Sequence, residues 1–369
     1  MTEKHTRRDL MNAVRSLAAS RPILPESQSR TDAVSGLVAP VCGDTIRIAS
    51  RAMACEFGVI LNPGSPEHLT AAGDLLNLVH DIELWLSAYQ DNSELSVLNR
   101  QASEKPMHVR RSLFELLVMS KEIHSRTNGA FDITAGPLIK LWRAARAQKK
   151  IPTTDDVRLA MQSVGSQHLS LHEESCSVQF EVAGMALDPG AIGKGYALDE
   201  VAKWLNQTEE APANYLLHGG HSSLIGRGHH NGLDGWPVGI GNPLFTEKRL
   251  ATVLLRDEAM STSGSNIQFY RYEGQRYGHI LDPRTGWPVE GMLSVTVVAG
   301  SAALADAVST AFFVLGVEKA VQCCENLNGV GVILMPFPVK GRKIEPVVVG
   351  IPADQIFWDP DQVVAPEYL

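Results

Sequence analysis

The order of hydrophobic patterns along the chain limits its possible folds more than any other feature. Apolar residues at helical spacing dominate to about residue 205, and short strand-like runs dominate from 213 to 300. Two helices, at 302–316 and 317–327, and a strand near 330–335 follow. Because strands and helices do not alternate strictly, the pattern predicts an α+β fold with mixed sheets flanked by helices.

The first half of the chain carries three helical segments that are defined by apolar stripes. Residues 67–87 have apolar side chains at helical spacing, and a helix at 138–148 is also predicted. Ser112 and Glu115 form a capping-box pattern at the start of a helix at 113–127. The predicted strands are 178–185, 214–218, 237–241, 250–256, 268–273, 276–281 and 293–299.

The domain organisation follows from the absence of a linker in the middle of the chain. No clean linker interrupts residues 42–350, so this stretch is predicted to form one large body. Residues 1–41 are predicted to be a disordered leader. Residues 351–369 are rich in Pro and are predicted to wrap the surface as a tail.

The leader bears on the compartment of the protein. Arg7-Arg8 is typical of a twin-arginine export signal, but the apolar stretch that follows is short and is interrupted by Arg15. A signal peptide needs an apolar region of roughly 7–15 residues. The sequence therefore favours a cytoplasmic location, with export to the periplasm as the alternative.

Charge and hydropathy exclude two classes of partner. The formal net charge is -8 and no dense Lys/Arg tract exists, which argues against nucleic acid as a partner. No run of 18 or more apolar residues is present, so no membrane span is expected. The five cysteines match no zinc or redox spacing.

A histidine on a stiff corner is the first candidate for chemistry. His279 ends a strand-like run, and Asp282–Gly286 then forms a turn in which Pro283 fixes one dihedral and Gly286 relieves the last position. An unperturbed imidazole titrates near neutral pH, so His279 is a candidate general base. The alternative is that it contacts a bound molecule without transferring a proton.

A carboxylate and a hydroxyl lie four residues apart in a strongly helical segment. Asp306 and Thr310 therefore share one face of the helix. Both are hard oxygen ligands that suit Mg²⁺ better than Zn²⁺. The alternative is structural: Asp306 would balance the helix dipole, and Thr310 would bond to the backbone.

Two turns are candidates for phosphate binding. Asp188–Gly195 contains three glycines and Lys194 and leads into a helix whose N-terminus favours anions. It lacks P-loop spacing, and the alternative is a tight strand-to-helix turn with Lys194 in solvent. The hydroxyls of Ser261–Gly264 could donate to phosphate oxygens or cap a helix.

Two aromatic residues and a carboxylate are candidates for binding a flat heterocycle. They are Tyr89, Phe131 and Asp132. The alternative is that these side chains belong to the core.

In this order, these segments resemble the ApbE family of flavin transferases (FAD:protein FMN transferases). Two departures from the family pattern stand out. Met53-Ala54-Cys55 replaces the usual Met-Gly-Thr, and His221 replaces the Asp of Gly-Gly-Asp. The matching blocks span about residues 52–316 and are Leu86–Tyr89, Ser93–Asn99, Gly129–Pro137, Leu141-Trp142, Asp188–Asp199, Thr262–Gly264, His279–Gly286, Ala305–Thr310 and Leu315-Gly316.

The resemblance implies a T-fold-like body and a specific reaction. FMN would pass from FAD to a Thr or Ser hydroxyl of a partner flavoprotein through a phosphoester bond, with release of AMP. Mg²⁺, or Mn²⁺ in its place, would be bound by the side chains of Asp306 and Thr310 and by a backbone carbonyl, that of Ala191. His279 and Lys194 would be the catalytic residues. The positions that resemble FAD contacts are Met53, Tyr89, Ala130, Phe131, Asp132, Asp188, Lys194, Thr262, Ser263 and His279.

Two other functions remain open from the sequence. In a metal-dependent FAD pyrophosphatase, water would replace the protein hydroxyl and FAD would give FMN and AMP. A non-enzymatic FAD-binding protein would be favoured if His221 reflects loss of a functional carboxylate.

Overall fold

The structure is a computed structural model that describes residues 39–40, 43–64, 67–209, 211–265, 269–338, 343–364 and 366–369. The predicted leader, residues 1–41, lies outside the described residues except for positions 39 and 40. Among the described helices, none has the length and apolar character needed to cross a bilayer.

Helices and strands are numbered here in chain order within the described ranges. The helices are α1 (Glu67–Leu86), α2 (Glu94–Gln101), α3 (Arg111–Arg126), α4 (Gly136–Ala147), α5 (Thr154–Met161), α6 (Gly193–Leu205) and α7 (Ala302–Glu325). The strands are β1 (Ile46–Ala52), β2 (Cys55–Leu61), β3 (Met107–His108), β4 (Leu169–His172), β5 (Ser177–Phe180), β6 (Tyr215–Gly219), β7 (Ser223–Arg227), β8 (Trp236–Gly241), β9 (Arg249–Leu255), β10 (Ala259–Gly264), β11 (Phe269–Tyr272), β12 (Gln275–Gly278), β13 (Met292–Ala299), β14 (Val330–Pro336), β15 (Val347–Val349), β16 (Ile356–Trp358) and β17 (Glu367–Tyr368).

A nine-stranded sheet forms the centre of the molecule. Its strand order is β1-β2-β6-β7-β10-β13-β14-β15-β17. All neighbours are antiparallel except β15 and β17, which run parallel, so the sheet is mixed as predicted. Two three-stranded sheets, β16-β9-β8 and β3-β5-β4, and the β11–β12 hairpin complete the strands. The predicted α+β class with mixed sheets is confirmed.

The central sheet is covered by different layers on its two faces. Helices α1, α6 and α7 pack on one face and form the larger hydrophobic cluster with it. The β16-β9-β8 sheet contributes to a second cluster on the other face, which contains Met260, Leu293 and Val298. Because side chains alternate along a strand, each central strand supplies both clusters.

Several local predictions were wrong. Ser261–Gly264 is not a turn but the end of strand β10. Helix α3 begins one residue before Ser112, and its N-cap is Arg110 without a side-chain cap. The predicted strand 178–185 ends at Phe180. The two predicted helices after residue 302 form one element, within which Gly316 has non-helical dihedral angles.

The C-terminal segment is more integrated than a surface tail. Strand β16 pairs with β9, and β17 pairs with β15. Ile351, Ile356 and Val363 are buried in the second hydrophobic cluster. Residues 351–369 therefore extend both sheets, which differs from the predicted wrapping of the surface.

The contact between α6 and α7 brings the candidate site together. A Cβ added at Gly195 would overlap the backbone carbonyl of Ala302, at the start of α7. The Asp199 carboxylate accepts hydrogen bonds from the backbone N–H groups of Ala302 and Ala303, at 2.8 and 2.9 Å. It thereby caps α7 from α6. The absence of a side chain at Gly195 and the cap formed by Asp199 therefore hold α6 and α7 close together.

We expect Gly195→Ala to lower the free energy of unfolding by about 1–3 kcal/mol or more, because the backbone it would meet cannot move aside like a side chain. Urea unfolding of the purified variant measures this. The matched control is Gly73→Ala on α1, where an added Cβ meets nothing within 4 Å. That variant should be neutral or more stable by about 0.5–1 kcal/mol. Equal stability of the two variants would contradict the close contact.

Candidate active site

A buried carboxylate from α7 lies at the centre of the candidate site. The Asp306 side chain is 3% exposed. Its Oδ1 accepts hydrogen bonds from Ser223 Oγ and Ser261 Oγ, each at 2.6 Å. These two serines stand on neighbouring strands, β7 and β10, so the sheet supplies both donors to one oxygen.

The second oxygen of Asp306 faces helix α6. Its Oδ2 accepts the backbone N–H of Gly195 at 2.7 Å and lies 3.9 Å from Lys194 Nζ. A carboxylate has about four lone-pair sites, and three of them hold these hydrogen bonds. The fourth lone-pair site is on Oδ2. This oxygen faces the N-terminus of α6, where the helix dipole places positive charge.

Hydroxyl groups line the next turn of α7. Thr310 Oγ1 and Ser309 Oγ donate to the carbonyl of Asp306, at 3.2 and 3.0 Å. Ser263 Oγ lies 2.9 Å from Ser309 Oγ and 3.1 Å from Thr310 Oγ1. Thr310 thus makes the hydrogen bond to the backbone that the sequence suggested as its structural role. Its hydroxyl oxygen still has lone pairs that could bind a cation. The structure brings Asp306, Thr310, Lys194 and Ser263 together.

Thr262 lies on the opposite face of the sheet. Its hydroxyl is 2.8 Å from that of Thr296, its cross-strand neighbour. Ser261 and Ser263 point to α7 because side chains alternate along β10. The structure therefore does not bring the predicted FAD contact at Thr262 to the Asp306 cluster.

The residues available for a metal are oxygen donors of mixed type. Among the described residues, no group of three or more His, Cys, Asp or Glu side chains could hold an ion. A cation at Asp306 would therefore need hydroxyl or carbonyl oxygens as well. Thr310 offers the hydroxyl, and Ala191 lies partly exposed in the turn before α6. This donor set fits Mg²⁺ or Mn²⁺ and does not fit a soft-metal site.

Tyr89, which is exposed, and Asp188, which is half-buried, lie together at the start of the turn that precedes α6. Tyr89 is 63% exposed, and its hydroxyl donates to Asp188 Oδ2 at 3.2 Å. The guanidinium of Arg143 lies 4.4 Å from the Tyr89 ring centre. Partial burial and the nearby Asp188 charge raise the pKa of Tyr89, so the phenol remains a donor. An aromatic face and a carboxylate are thus present together at this surface.

The predicted contact at Asp132 has a structural role in the described geometry. Its Oδ1 accepts the hydroxyls of Thr134 and Ser166 at 2.7 and 2.8 Å, and its Oδ2 lies 3.2 Å from His124 Nδ1. Ala130 and Phe131 are also buried, at 1% and 3% exposure. The 129–137 loop is therefore held in place by a saturated carboxylate.

Asp132 and His124 shift each other's protonation. The hydrogen bond to Asp132 raises the pKa of His124, outweighing burial. Burial alone would raise the pKa of Asp132, but hydrogen bonds from His124 and Thr134 lower it overall. Protonation of His124 is therefore more favourable in the folded protein than in the unfolded chain.

We expect the free energy of unfolding to depend on pH through His124. Its folded-state pKa lies above the ordinary value of 6.5, so its protonation stabilises the fold fully below that pH. The stabilisation is lost as the pH rises through the folded-state pKa. Urea unfolding from about pH 5.5 to about pH 9 should show this loss in the wild type and not in His124→Gln. Parallel pH profiles of the two proteins would contradict it.

His279 follows strand β12 on an exposed hairpin. Strands β11 and β12 lie between the end of β10, which carries Ser263, and the start of β13. The side chain of His279 is exposed. In the chain, the hairpin follows the strand that carries Ser263, and His279 comes directly after the hairpin.

The corner after His279 is rigid, as the sequence predicts. Asp282 accepts two hydrogen bonds from the Arg284 guanidinium, both at 2.8 Å. Trp142 Nε1 on α4 donates to the carbonyl of Gly286 at 2.8 Å, and Gly286 has φ of 78°. The conformation at Gly286 is one that glycine adopts readily. Packing against α4 fixes the residues that follow His279.

Met53 and Cys55 approach the site from the β1–β2 hairpin. Met53 and Ala54 have φ of 50° and 61°, and the methyl carbon of Met53 lies close to Gly193 at the start of α6. Burial raises the pKa of the Cys55 thiol, while Lys194 opposes and Asp306 reinforces the rise. Cys55 is therefore a neutral thiol within the electrostatic reach of Lys194 and Asp306.

Sequence reasoning missed four contributors to the site: Ser223, Ser261 as a partner of Asp306, the Gly195 N–H and Cys55. Ser223 follows the Gly219-Gly220 turn, and this pair of glycines was the available signal. His221 is exposed in that same turn. The pairing of distant strands with Asp306 leaves no local pattern in the sequence.

Comparison with protein families assigns most of the chain to one of them. The model of the ApbE family matches residues 52–334. This range contains all the residues described above as the candidate site.

Proteins similar to this chain share one named activity. An FAD:protein FMN transferase of Treponema pallidum is 32% identical over 328 residues, covering 81% of this chain and 88% of that protein. An FAD:protein FMN transferase of Klebsiella pneumoniae is 31% identical over 275 residues, covering 74% and 83%. The flavinyl transferase ApbE of Pseudomonas stutzeri superposes with a TM-score of 0.71 at 26% identity, covering 84% of this chain and 96% of that structure.

Proposed function

This chain belongs to the ApbE family, and from that premise we propose that it transfers the FMN part of FAD to a Thr or Ser hydroxyl of an acceptor protein and releases AMP. The activity of FAD:protein FMN transfer rests on the named relatives. The leaving group, the acceptor residue and the metal are parts of the proposal. The observation that carries it is the convergence of Asp306, Thr310 and Lys194 within the matched range.

The proposed reaction exchanges one phosphorus–oxygen bond for another. The acceptor hydroxyl oxygen bonds to the phosphorus on the FMN side of the pyrophosphate. The bond from that phosphorus to the bridging oxygen breaks, and AMP leaves with the bridging oxygen. Transfer of this kind depends mainly on positioning the reactants and on neutralising charge.

Asp306, Thr310 and the Ala191 carbonyl would hold Mg²⁺, with Mn²⁺ as an alternative. Bound Mg²⁺ acts as a Lewis acid that offsets the negative charge of phosphoryl oxygens. Asp306 Oδ2 is the oxygen that retains acceptor capacity, and Lys194 lies 3.9 Å from it. Lys194 and the N-terminus of α6 would add positive charge beside the pyrophosphate.

His279 would accept the proton of the attacking hydroxyl. Its place at the end of the β11–β12 hairpin makes it accessible to a protein acceptor. The rigid Asp282–Gly286 corner would hold the position of the imidazole. A general base of this kind typically contributes a 10²–10⁴-fold factor in rate.

Residues around the turn that precedes α6 would contact the flavin nucleotide. Tyr89 presents an exposed ring beside Asp188, and Met53 lies at the start of α6. Ala130, Phe131 and Asp132 would shape the pocket through the loop they fix, because their own side chains are buried. Ser263 would face the phosphates from β10.

The direct test is incubation of the full chain with FAD, Mg²⁺ and an acceptor peptide that carries one Thr. We expect FMN bound covalently to the peptide and AMP in solution. A peptide with Ala in place of Thr is the matched control and should remain unlabelled. Release of AMP and free FMN without labelling would mean FAD hydrolysis, and FAD binding without AMP would mean a binding protein. Either result would contradict the proposal.

A further inference from the structure

We propose that Ser223 and Ser261 are positioning residues that select Mg²⁺ or Mn²⁺ over Ca²⁺ by restricting Asp306 to a single ligand oxygen, Oδ2. The inference rests on the metal site of the proposed function. It concerns two serines that touch neither the metal nor FAD in that proposal and act only through the orientation of Asp306.

The two serines form a directly opposed pair on antiparallel strands. Ser261 of β10 and Ser223 of β7 are cross-strand partners. Both hydroxyls point to the helical face of the sheet, and each lies 2.6 Å from the same oxygen of Asp306. Ser223 is 0% exposed and Ser261 is 3% exposed, so water does not compete readily for these hydrogen bonds. We refer to them as the serine pair.

The serine pair uses both lone-pair sites of Oδ1. A hydroxyl that donates to an ionised carboxylate makes a short, strong hydrogen bond. Rotation of the carboxylate, which would offer both oxygens to one cation, would break two such bonds and the bond from the Gly195 N–H. Asp306 is therefore oriented before any cation arrives, and only Oδ2 remains available.

A single fixed carboxylate oxygen distinguishes between divalent cations. Mg²⁺ demands near-ideal octahedral geometry and binds few protein oxygens. Ca²⁺ accepts six to eight oxygen ligands and readily takes both oxygens of one carboxylate. Because two hydrogen bonds hold Oδ1, Ca²⁺ cannot use this oxygen as a second ligand. Mg²⁺ needs only Oδ2, so the fixed orientation of the carboxylate does not weaken its binding.

The alternative is that the serine pair only fills the core and satisfies its own hydroxyls. Removing a hydroxyl would then lower stability and would affect all cations equally. Relative affinity for Mg²⁺ and Ca²⁺ separates the two roles, because a purely structural serine has no reason to change their ratio.

The experiment uses the full chain with Ser223→Ala or Ser261→Ala. Mn²⁺ is titrated, the free ion is followed by electron paramagnetic resonance, and Mg²⁺ or Ca²⁺ is added as competitor. We expect each variant to bind Mg²⁺ and Mn²⁺ roughly 10–100-fold more weakly, the range typical of residues that orient metal ligands. The Ca²⁺ affinity should be unchanged or higher, so that the preference for Mg²⁺ falls.

Two further variants make the result specific. Ser294→Ala removes a hydroxyl that is equally buried but bonds to Met335 on the other face of the sheet. It should leave both affinities unchanged. Ser261→Thr retains a hydroxyl and should keep the wild-type preference for Mg²⁺ more nearly than Ser261→Ala. Retained Ca²⁺ binding in the alanine variants also shows that they are folded.

Unchanged affinities, or equal losses for Mg²⁺ and Ca²⁺, would overturn the inference. So would an inability of the wild type to bind Mn²⁺ both with and without FAD, since the metal site itself would then be wrong. Failure of the proposed function is a different result, because it is read from covalent labelling of an acceptor peptide and not from metal affinity.

Discussion

Asp306→Asn is expected to reduce metal-dependent FMN transfer by roughly 10²–10⁴-fold, the scale of losing a main source of charge stabilisation at a phosphoryl centre. The amide keeps the size of the side chain and one acceptor oxygen. With its NH₂ group at the Oδ1 position, the amide can donate to the Ser223 and Ser261 hydroxyls while its oxygen accepts the Gly195 N–H. The variant therefore keeps a neutral oxygen at the Oδ2 position and loses the negative charge that would bind the cation.

The measurement is the initial rate of acceptor labelling at saturating FAD over a range of Mg²⁺ concentrations. FAD binding and urea unfolding are recorded on the same samples to separate catalysis from folding. Asp74→Asn, at an exposed carboxylate on α1, is the control and should retain wild-type activity. A folded Asp306→Asn protein with the wild-type rate would eliminate Asp306 as a metal ligand.

His279→Gln is expected to reduce the transfer rate by roughly 10²–10⁴-fold, because it removes the proposed general base. Gln keeps polarity and much of the length of the side chain but cannot take up the proton of the attacking hydroxyl. The acidic limb of the pH–rate profile that reports this group should disappear in the variant. FAD affinity should stay near the wild-type value.

The control for this variant is His172→Gln, an exposed histidine on β4 in the small β3-β5-β4 sheet. It should leave the rate and the pH profile unchanged. A His279→Gln protein with weaker FAD binding but the same rate at saturating FAD would make His279 a binding residue and not a base.

The features that could be predicted from the sequence are those that depend on local spacing. The apolar stripe of α1 predicted its position to within one residue, because period and length both favoured a helix. Asp306 and Thr310 were placed on one face of a helix for the same reason. The turn before α6 was predicted from its glycines, but the helix begins at Gly193, inside the predicted Asp188–Gly195 turn. The structure adds that Gly195, in the first turn of the helix, is needed for the approach of α7.

The features that could not be predicted depend on contacts between distant segments. Ser261–Gly264 has the composition of a turn, and its strand conformation follows only from pairing with β7 and β13. That pairing also decides that Ser261 and Ser263 face Asp306 while Thr262 does not. The saturation of Asp132 by Thr134, Ser166 and His124 likewise requires three separate segments to meet.

The most direct test of the account is the intact mass of an acceptor protein after incubation with FAD, Mg²⁺ and either the wild type or Asp306→Asn. The account predicts that the wild type adds one FMN to each acceptor and releases one AMP for each FMN transferred, whereas Asp306→Asn adds almost none. AMP release by the wild type with an unchanged acceptor mass, or full labelling by Asp306→Asn, would contradict it.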